Sequence, residues 1–356
     1  MTLDPGDDPG QRAPIARTTW GLRTFLPWLV AAGCLVYAFE VVPFGACIEA
    51  LRRARLGLFL PLVAGAVLAW FALESAAYAY TFSRFNSALS WRDARSLRAL
   101  SYLLTVIHWH FAKAAVVLRL NTTHGFGILA ATSTLLLYQM IGVLVLSVFA
   151  SAGALLLPRS LGLEHVAPTA FVVATGVIAS LILLRVDRPR TRLLDELRAL
   201  TLLQSHRKLE VRDVAIIGGI KVFYQLIFVL VYYWGMRAFG LAPSFGLVLL
   251  ATPILQAVGS LPIAPAGFGT QQAAMLLIFA DPSAAGSDRA AILAFGFAQP
   301  ITTLVARSLI ALCYSADLAR AGPAASKSAS ASASTGSPET RTATTVGNNS
   351  SATTRV

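Results

Sequence analysis

Few polar side chains in this 356-residue chain could do chemistry, and most of those lie inside apolar runs. Glu40, Glu74, Lys221, Gln225, Gln256, Gln272, Gln299 and Arg307 each interrupt a hydrophobic stretch. An ionisable group in hydrocarbon is costly, so such residues face a cavity or one another. Glu74 lies deep in one run and Arg307 near the middle of another, and a Glu74 to Arg307 contact would neutralise both. The other expected outcome is that each lines a wet groove. Lys221 stands about two turns into its run and is expected to snorkel to the membrane surface. His108 and His110, in VIHWHFAK, are two apart and so about 200° apart around a helix, sharing no face for a metal. With Trp109 between them and Lys113 after them, they read as an amphipathic segment at headgroup level.

The densest signal runs from Ser260 to Gln272, SLPIAPAGFGTQQ. Pro262 and Pro265 remove backbone donors and break a helix, while Gly267 and Gly269 permit left-handed or closely approached backbone. Such backbone is tolerated at membrane depth only where protein buries it or where it lines a cavity. A helix restarting near Thr270 would aim its free amides into that cavity, which suits an anion such as a lipid phosphate. A plain kinked packing helix is the alternative. There is no GxSxG, HExxH or GxxxxGK. No catalytic acid, base or metal set can be assembled, so neither an enzyme nor a cofactor is expected. Cys34, Cys47 and Cys313 form no CxxC pair and read as packing residues.

The elements that must position these residues follow from composition. The chain is 56% hydrophobic and 13% charged, against roughly 25% charged in an ordinary soluble domain. A net charge of +12 on so little polar surface argues against a soluble nucleic-acid binder. Apolar runs at about 25–47, 58–80, 127–157, 167–185, 214–237 and 290–316 are each long enough to cross a hydrocarbon core of about 30 Å. With the interrupted stretches 100–120 and 244–281, they predict an all-α polytopic membrane protein of about six to eight transmembrane helices, some broken or re-entrant.

Cations then set the orientation. Seven Lys or Arg crowd 186–213, whereas 238–306 holds only Arg289. The first segment reads as a cytoplasmic loop, and Leu193, Leu194, Leu197 and Leu200 give it an interfacial helix on an anionic leaflet. Taking 100–120 as re-entrant or interfacial keeps 81–125 inside as one basic block and leaves Arg52, Arg53 and Arg55 outside. Asn121-Thr122-Thr123 matches a glycosylation acceptor but falls in that inner block. The 244–281 stretch returns to the outer face, either as two crossings or as a re-entrant hairpin. Opposed broken helices of this kind point to an inverted repeat around a midplane site. The expected organisation is a polar tail at 1–24, a membrane domain at 25–317 and a disordered Ala/Ser/Thr-rich tail at 318–356, with both termini cytoplasmic.

Pro262, Pro265, Gly267 and Gly269 resemble, in order and spacing, the L-P-x-S-P-G-G-x-G-x-x-E motif of the lysylphosphatidylglycerol synthase transmembrane-region family. This is a flippase-like membrane domain that also occurs as stand-alone bacterial proteins. Arg307 resembles an arginine that the family places in its last helix, and the layout fits over about residues 20–317. Ala266 stands where the family usually has glycine and Gln272 where it has glutamate. The family's Pro-x-Arg-x-Gly-like stretch is not recognisable in Val106–Arg119. The resemblance implies a bacterial inner-membrane protein that binds or translocates a lipid or isoprenoid-linked amphiphile without hydrolysing nucleotide. Its headgroup site would comprise Pro262, Pro265, Gly267, Gly269 and Gln272, with Glu74, Gln299 and Arg307 nearby, and its partners would be membrane lipids with anionic headgroups. Aminoacyl transfer is not expected, because in the family a separate soluble domain performs it. The alternative is a non-transporting scaffold for a lipid-modifying or glycosyl-transferring enzyme.

Overall fold

The computed structural model describes residues 22–105, 109–157, 166–185, 201–260, 268–280 and 288–314, and every regular element among them is helical. The elements are α1 (Leu22–Val41), α2 (Phe44–Arg53), α3 (Leu56–Phe85), α4 (Trp91–Thr105), α5 (Trp109–His124), α6 (Ile128–Leu155), α7 (Val166–Arg185), a 3₁₀ turn Thr201–Leu203, α8 (Gln204–Arg207), α9 (Val211–Ala238), α10 (Phe245–Ser260), α11 (Thr270–Phe279) and α12 (Arg289–Cys313). Among the described residues α3, α6, α9 and α12 are long and apolar enough to cross a membrane, and α1 with α2 makes a fifth span if the bent pair is counted as one. The run expected at 25–47 is therefore not one straight helix. It breaks at Pro43 and turns by 75°, because proline supplies no amide to continue the ladder.

The polypeptide directions define two ends of the bundle. Helices α3 and α9 pack antiparallel: the Arg55 amide donates to the Ala238 carbonyl at 2.8 Å at one end. At the other end Arg84 meets Asp213 at 3.1 Å. Asn86 donates to Thr134 Oγ1 at 2.7 Å, which places the start of α6 at the Arg84 end. Leu156, just past α6, lies against Gly246 at the Arg55 end. Helix α12 starts at that same end, where Phe295 packs edge-on against Phe59 and Phe239 with centroids 6.0 and 5.6 Å apart.

Between these long helices sit two pairs of short ones. Helices α4 and α5 have 15 and 16 residues, or about 22–24 Å at 1.5 Å per residue, short of a core of about 30 Å. Both arms are anchored at the Arg84 end. The Leu89 amide donates to Ser83 Oγ at 2.9 Å, and Asp93 lies 3.5 Å from His124. The pair is thus a hairpin inserted from that end. Helices α10 and α11, with 16 and 10 residues, pack on each other and insert from the Arg55 end. The order long helix, hairpin, long helix therefore occurs twice, as α3–α6 and as α9–α12, with opposite sense. This is the inverted arrangement that the two interrupted stretches foreshadow. The four long helices, the bent α1–α2 pair and α7, a further apolar helix of 20 residues, accord with the expected count of about six to eight membrane helices, some broken or re-entrant.

Small residues set the closest helix crossings, as expected where lipid offers no hydrophobic drive between helices. A Cβ on Gly153 of α6 would lie 2.3 Å from the Leu250 amide nitrogen of α10. The expected interfacial helix of 186–213 lies for the most part outside the described residues. Leu193, Leu194, Leu197 and Leu200, which carry that expectation, all lie outside them, and in the described end of the loop Ser205 and His206 are buried against α6. The Ser205 amide donates to Ser133 Oγ at 3.0 Å, and His206 Nε2 sits 3.1 Å from Met140 Sδ. Burial holds the His206 imidazole below its ordinary pKa of 6.5, against an opposing hydrogen bond with the Leu203 backbone, so the ring is neutral at pH 7.

Because backbone cannot retreat from a methyl group, Gly153→Ala should sharply lower the yield of monodisperse protein and its thermal midpoint in detergent. Gly65→Ala, where an added Cβ meets nothing within 4 Å, should leave both unchanged. Equal behaviour of the two variants would contradict this packing.

Candidate functional site

The two hairpins meet at a cavity of about 940 Å³. Its wall takes Arg98, Ser101 and Thr105 from α4, Lys113 from α5, and Gln256 and Ser260 from α10, with Phe268 and Gln271 beyond the α10–α11 break. The long helices close the rest. Glu74 and Tyr78 come from α3, Tyr138 and Gln139 from α6, Lys221, Tyr224 and Gln225 from α9, and Gln299, Thr303 and Arg307 from α12. Glu74 lies 11 residues before the end of α3 and Lys221 lies 10 after the start of α9. Both are therefore about 15 Å from the Arg84 end of the bundle, near mid-depth.

Charge in the wall is unbalanced. Arg98 forms an ion pair with Glu74 through Nη2 and Oε2, both side chains being about nine-tenths buried. Arg98 also donates to Ser101 Oγ at 2.9 Å. Its guanidinium stands 4.6 Å from the Tyr102 ring centroid, and that of Arg307 stands 5.0 Å from the same ring. The ring face attracts both cations, yet two guanidinium groups on one ring share a single nearby carboxylate. Lys221 Nζ sits 3.5 Å from the Tyr138 centroid. Four basic side chains (Arg98, Lys113, Lys221 and Arg307) thus face the cavity with Glu74 as the sole acidic group among the described wall residues.

Several expectations from sequence change here. Glu74 does not meet Arg307. The hairpin carries Arg98 down into the bundle, and the closer guanidinium takes the carboxylate. Lys221 does not snorkel outward. Its stem lies along Gly142, where a side chain would come within 3.7 Å of it, and the ammonium turns to the Tyr138 face. Glu40 is exposed on α1 and outside the wall. Gln299 and Arg307 are in the wall, as are Gln225 and Gln256. Gly269 and Gln272 are close by but not in it.

The Gly269 amide, at φ +86°, donates to Gln272 Oε1 at 2.7 Å, and Gln272 Nε2 donates to the Gly296 carbonyl at 2.8 Å. Gln272 is therefore a buried clamp that caps α11 and ties it to α12, so this amide is already taken and does not await an anion. Pro262, Pro265, Gly267 and His108 lie outside the described residues, as does the side chain of His110. Among the described residues no group of three His, Cys, Asp or Glu could hold a metal ion.

The residues that sequence reading passed over are Arg98 and Tyr138. Arg98 was one cation in a basic block, although it is the only charged residue between Leu97 and Thr105, a stretch otherwise made of Leu, Ala, Tyr, Ser and Thr. Tyr138 carried no local signal, because its part depends on a lysine 83 positions later.

Residues 25–311 match the Lysylphosphatidylglycerol synthase TM region. The chain belongs to that family. No curated protein matches it. Membership covers the bundle from α1 to within two residues of the end of α12, and the defining region of the family is a membrane domain.

Removing one partner of a buried ion pair leaves an uncompensated charge at a cost of about 3–5 kcal/mol. Glu74→Gln and Arg98→Gln should each destabilise the protein strongly, and the Glu74→Gln/Arg98→Gln double variant should recover a large part of the loss. A double-mutant cycle of thermal midpoints in detergent tests this. Additive losses would show that the two residues are not coupled.

Proposed function

We propose that this member of the Lysylphosphatidylglycerol synthase TM region family binds an amphiphile by its anionic headgroup in the cavity between the two hairpins and moves it between leaflets. The reading is carried by one observation: four basic side chains and one paired carboxylate around a space of about 940 Å³ at mid-depth. A cluster of cations in hydrocarbon is costly unless an anion or water compensates it. The opposed hairpins supply the rest. Each blocks the bundle from one end only, so a modest shift of either opens the same site to a different face, as in alternating access around a fixed midplane site.

The residues expected to hold the headgroup are Arg98, Lys113, Lys221 and Arg307, with Glu74 orienting Arg98. Gln299 takes a polar contact beside them. Gly269 and Gln272 fix where α11 starts, and with it the position of Gln271 in the wall. We place the Arg84 end in the cytoplasm of a bacterial cell, because Arg84, Arg92, Arg95, Arg207, Lys208 and Arg212 gather there among the described residues. Movement needs no nucleotide and no cofactor in this reading, and no chemical step occurs on the lipid.

Reconstitution tests it. Vesicles of phosphatidylcholine with fluorescent phosphatidylglycerol should lose outer and inner label to an impermeant quencher when they contain the protein. Empty vesicles should retain the inner half. Lys221→Met/Arg307→Gln should slow the loss at least tenfold. Equal protection in loaded and empty vesicles would reject transport and favour a scaffold that binds a lipid-modifying or glycosyl-transferring enzyme.

A further inference from the structure

The cavity wall is chemically divided. Cations come from α4 and α5, through Arg98 and Lys113, and from the neighbouring Lys221 and Arg307. The polar groups that the α10–α11 hairpin contributes, by contrast, are among the described residues all neutral, namely the amides of Gln256 and Gln271 and the hydroxyl of Ser260. A phosphate explains the first half. It does not explain the second, and the orientation of the amides shows why.

Gln271 Nε2 donates to the Leu255 carbonyl at 3.2 Å, so its nitrogen is committed to protein. A carbonyl partner can only accept, which fixes the direction of this amide. Gln256 Nε2 likewise donates to Gln225 Oε1 at 2.8 Å, and Gln299 Nε2 donates to Thr303 Oγ1 at 3.2 Å. With the amides so placed, the Leu255 carbonyl fixing that of Gln271, no described residue donates to the three Oε1 oxygens of these wall residues. These are acceptors, and a phosphate brings no proton to an acceptor. An acceptor with nothing to bond is costly to bury, and ligand hydroxyls supply it with a donor. The tyrosine faces that line the same space suit the apolar face of a saturated ring.

We infer that the ligand of this site is an anionic lipid whose phosphate carries a polyhydroxylated ring, a sugar or cyclitol. The phosphate sits among Arg98, Lys221 and Arg307, and the ring hydroxyls donate to Gln256, Gln271 and Gln299. The volume agrees, since it lies at the upper end of the roughly 300–1,000 Å³ of small-molecule sites and exceeds what a bare phosphate needs. An ammonium-bearing headgroup is disfavoured, because Glu74 is already held by Arg98 and four cations would repel it. This inference rests on the headgroup-binding reading above.

Native mass spectrometry of the detergent-purified full chain with dioleoyl phosphatidic acid, phosphatidylglycerol, phosphatidylinositol and lysyl-phosphatidylglycerol tests it. Phosphatidylinositol should bind at least tenfold more tightly than phosphatidic acid, with phosphatidylglycerol between them and the lysylated lipid weakest. Gln256→Leu should bring the ratio of phosphatidylinositol to phosphatidic acid to within twofold of unity. Equal binding of phosphatidylinositol and phosphatidic acid by the wild-type protein would overturn the inference and leave the anion site standing. Tightest binding of the lysylated lipid would also overturn it. Failure to retain any of the four lipids would overturn the headgroup-binding reading itself. The wild-type comparison stands whether or not the variant folds.

Discussion

A helix that stops at membrane depth exposes backbone groups that hydrocarbon cannot satisfy, and the rest of this molecule follows from how that constraint is met. Two hairpins stop there. Each is too short to cross, and the described residues beside each break, Thr105 in one and Ser260 and Phe268 in the other, line the cavity together with polar groups from the long helices. The long helices α3, α6, α9 and α12 are antiparallel in pairs because they must wall in two tips that arrive from opposite directions. Glycines such as Gly153 let α6 approach the α10 backbone closely enough to do so.

Charge follows from the same arrangement. A hairpin that dips from the Arg84 end carries Arg98 to Glu74, and this pair anchors the first tip as Gln272 anchors the second. The two anchors differ in kind. One is ionic and leaves cations in excess around it, while the other is a neutral amide that spans α11 and α12. The chemical asymmetry of the cavity is thus built into how each hairpin is fastened.

Much of the fold was legible in the sequence. Apolar runs such as 127–157 and 214–237 correspond closely to α6 and α9, since length and hydropathy alone decide a span. The two interrupted stretches were readable in part: misplaced arginines made 100–120 a re-entrant or interfacial element in place of a crossing, while Pro and Gly in 244–281 left both two crossings and a re-entrant hairpin open. The site was legible only in part. Glu74, Gln299 and Arg307 stand out as polar residues in hydrocarbon, but a polar residue does not announce its partner. Glu74 found Arg98 because the depth of a hairpin tip is a tertiary property. Lys221 turned inward because Gly142 leaves room and Tyr138 offers a ring, and neither is visible from the spacing within α9. Gln272 looked like a ligand and serves as a cap, since an amide three residues past a left-handed glycine satisfies the amide of that glycine first.

The claim on which all of this depends is that the hairpins enter from opposite faces. In a chain with Cys34, Cys47 and Cys313 replaced by serine, single cysteines at Ser90, Thr122, Ser244 and Arg289 can be labelled with an impermeant maleimide in oriented membrane vesicles. The account predicts that Ser90 and Thr122 label from one face, and that Ser244 and Arg289 label from the other. Labelling of Ser90 and Thr122 from opposite faces would mean that α4 and α5 cross the membrane between them, and would contradict the account.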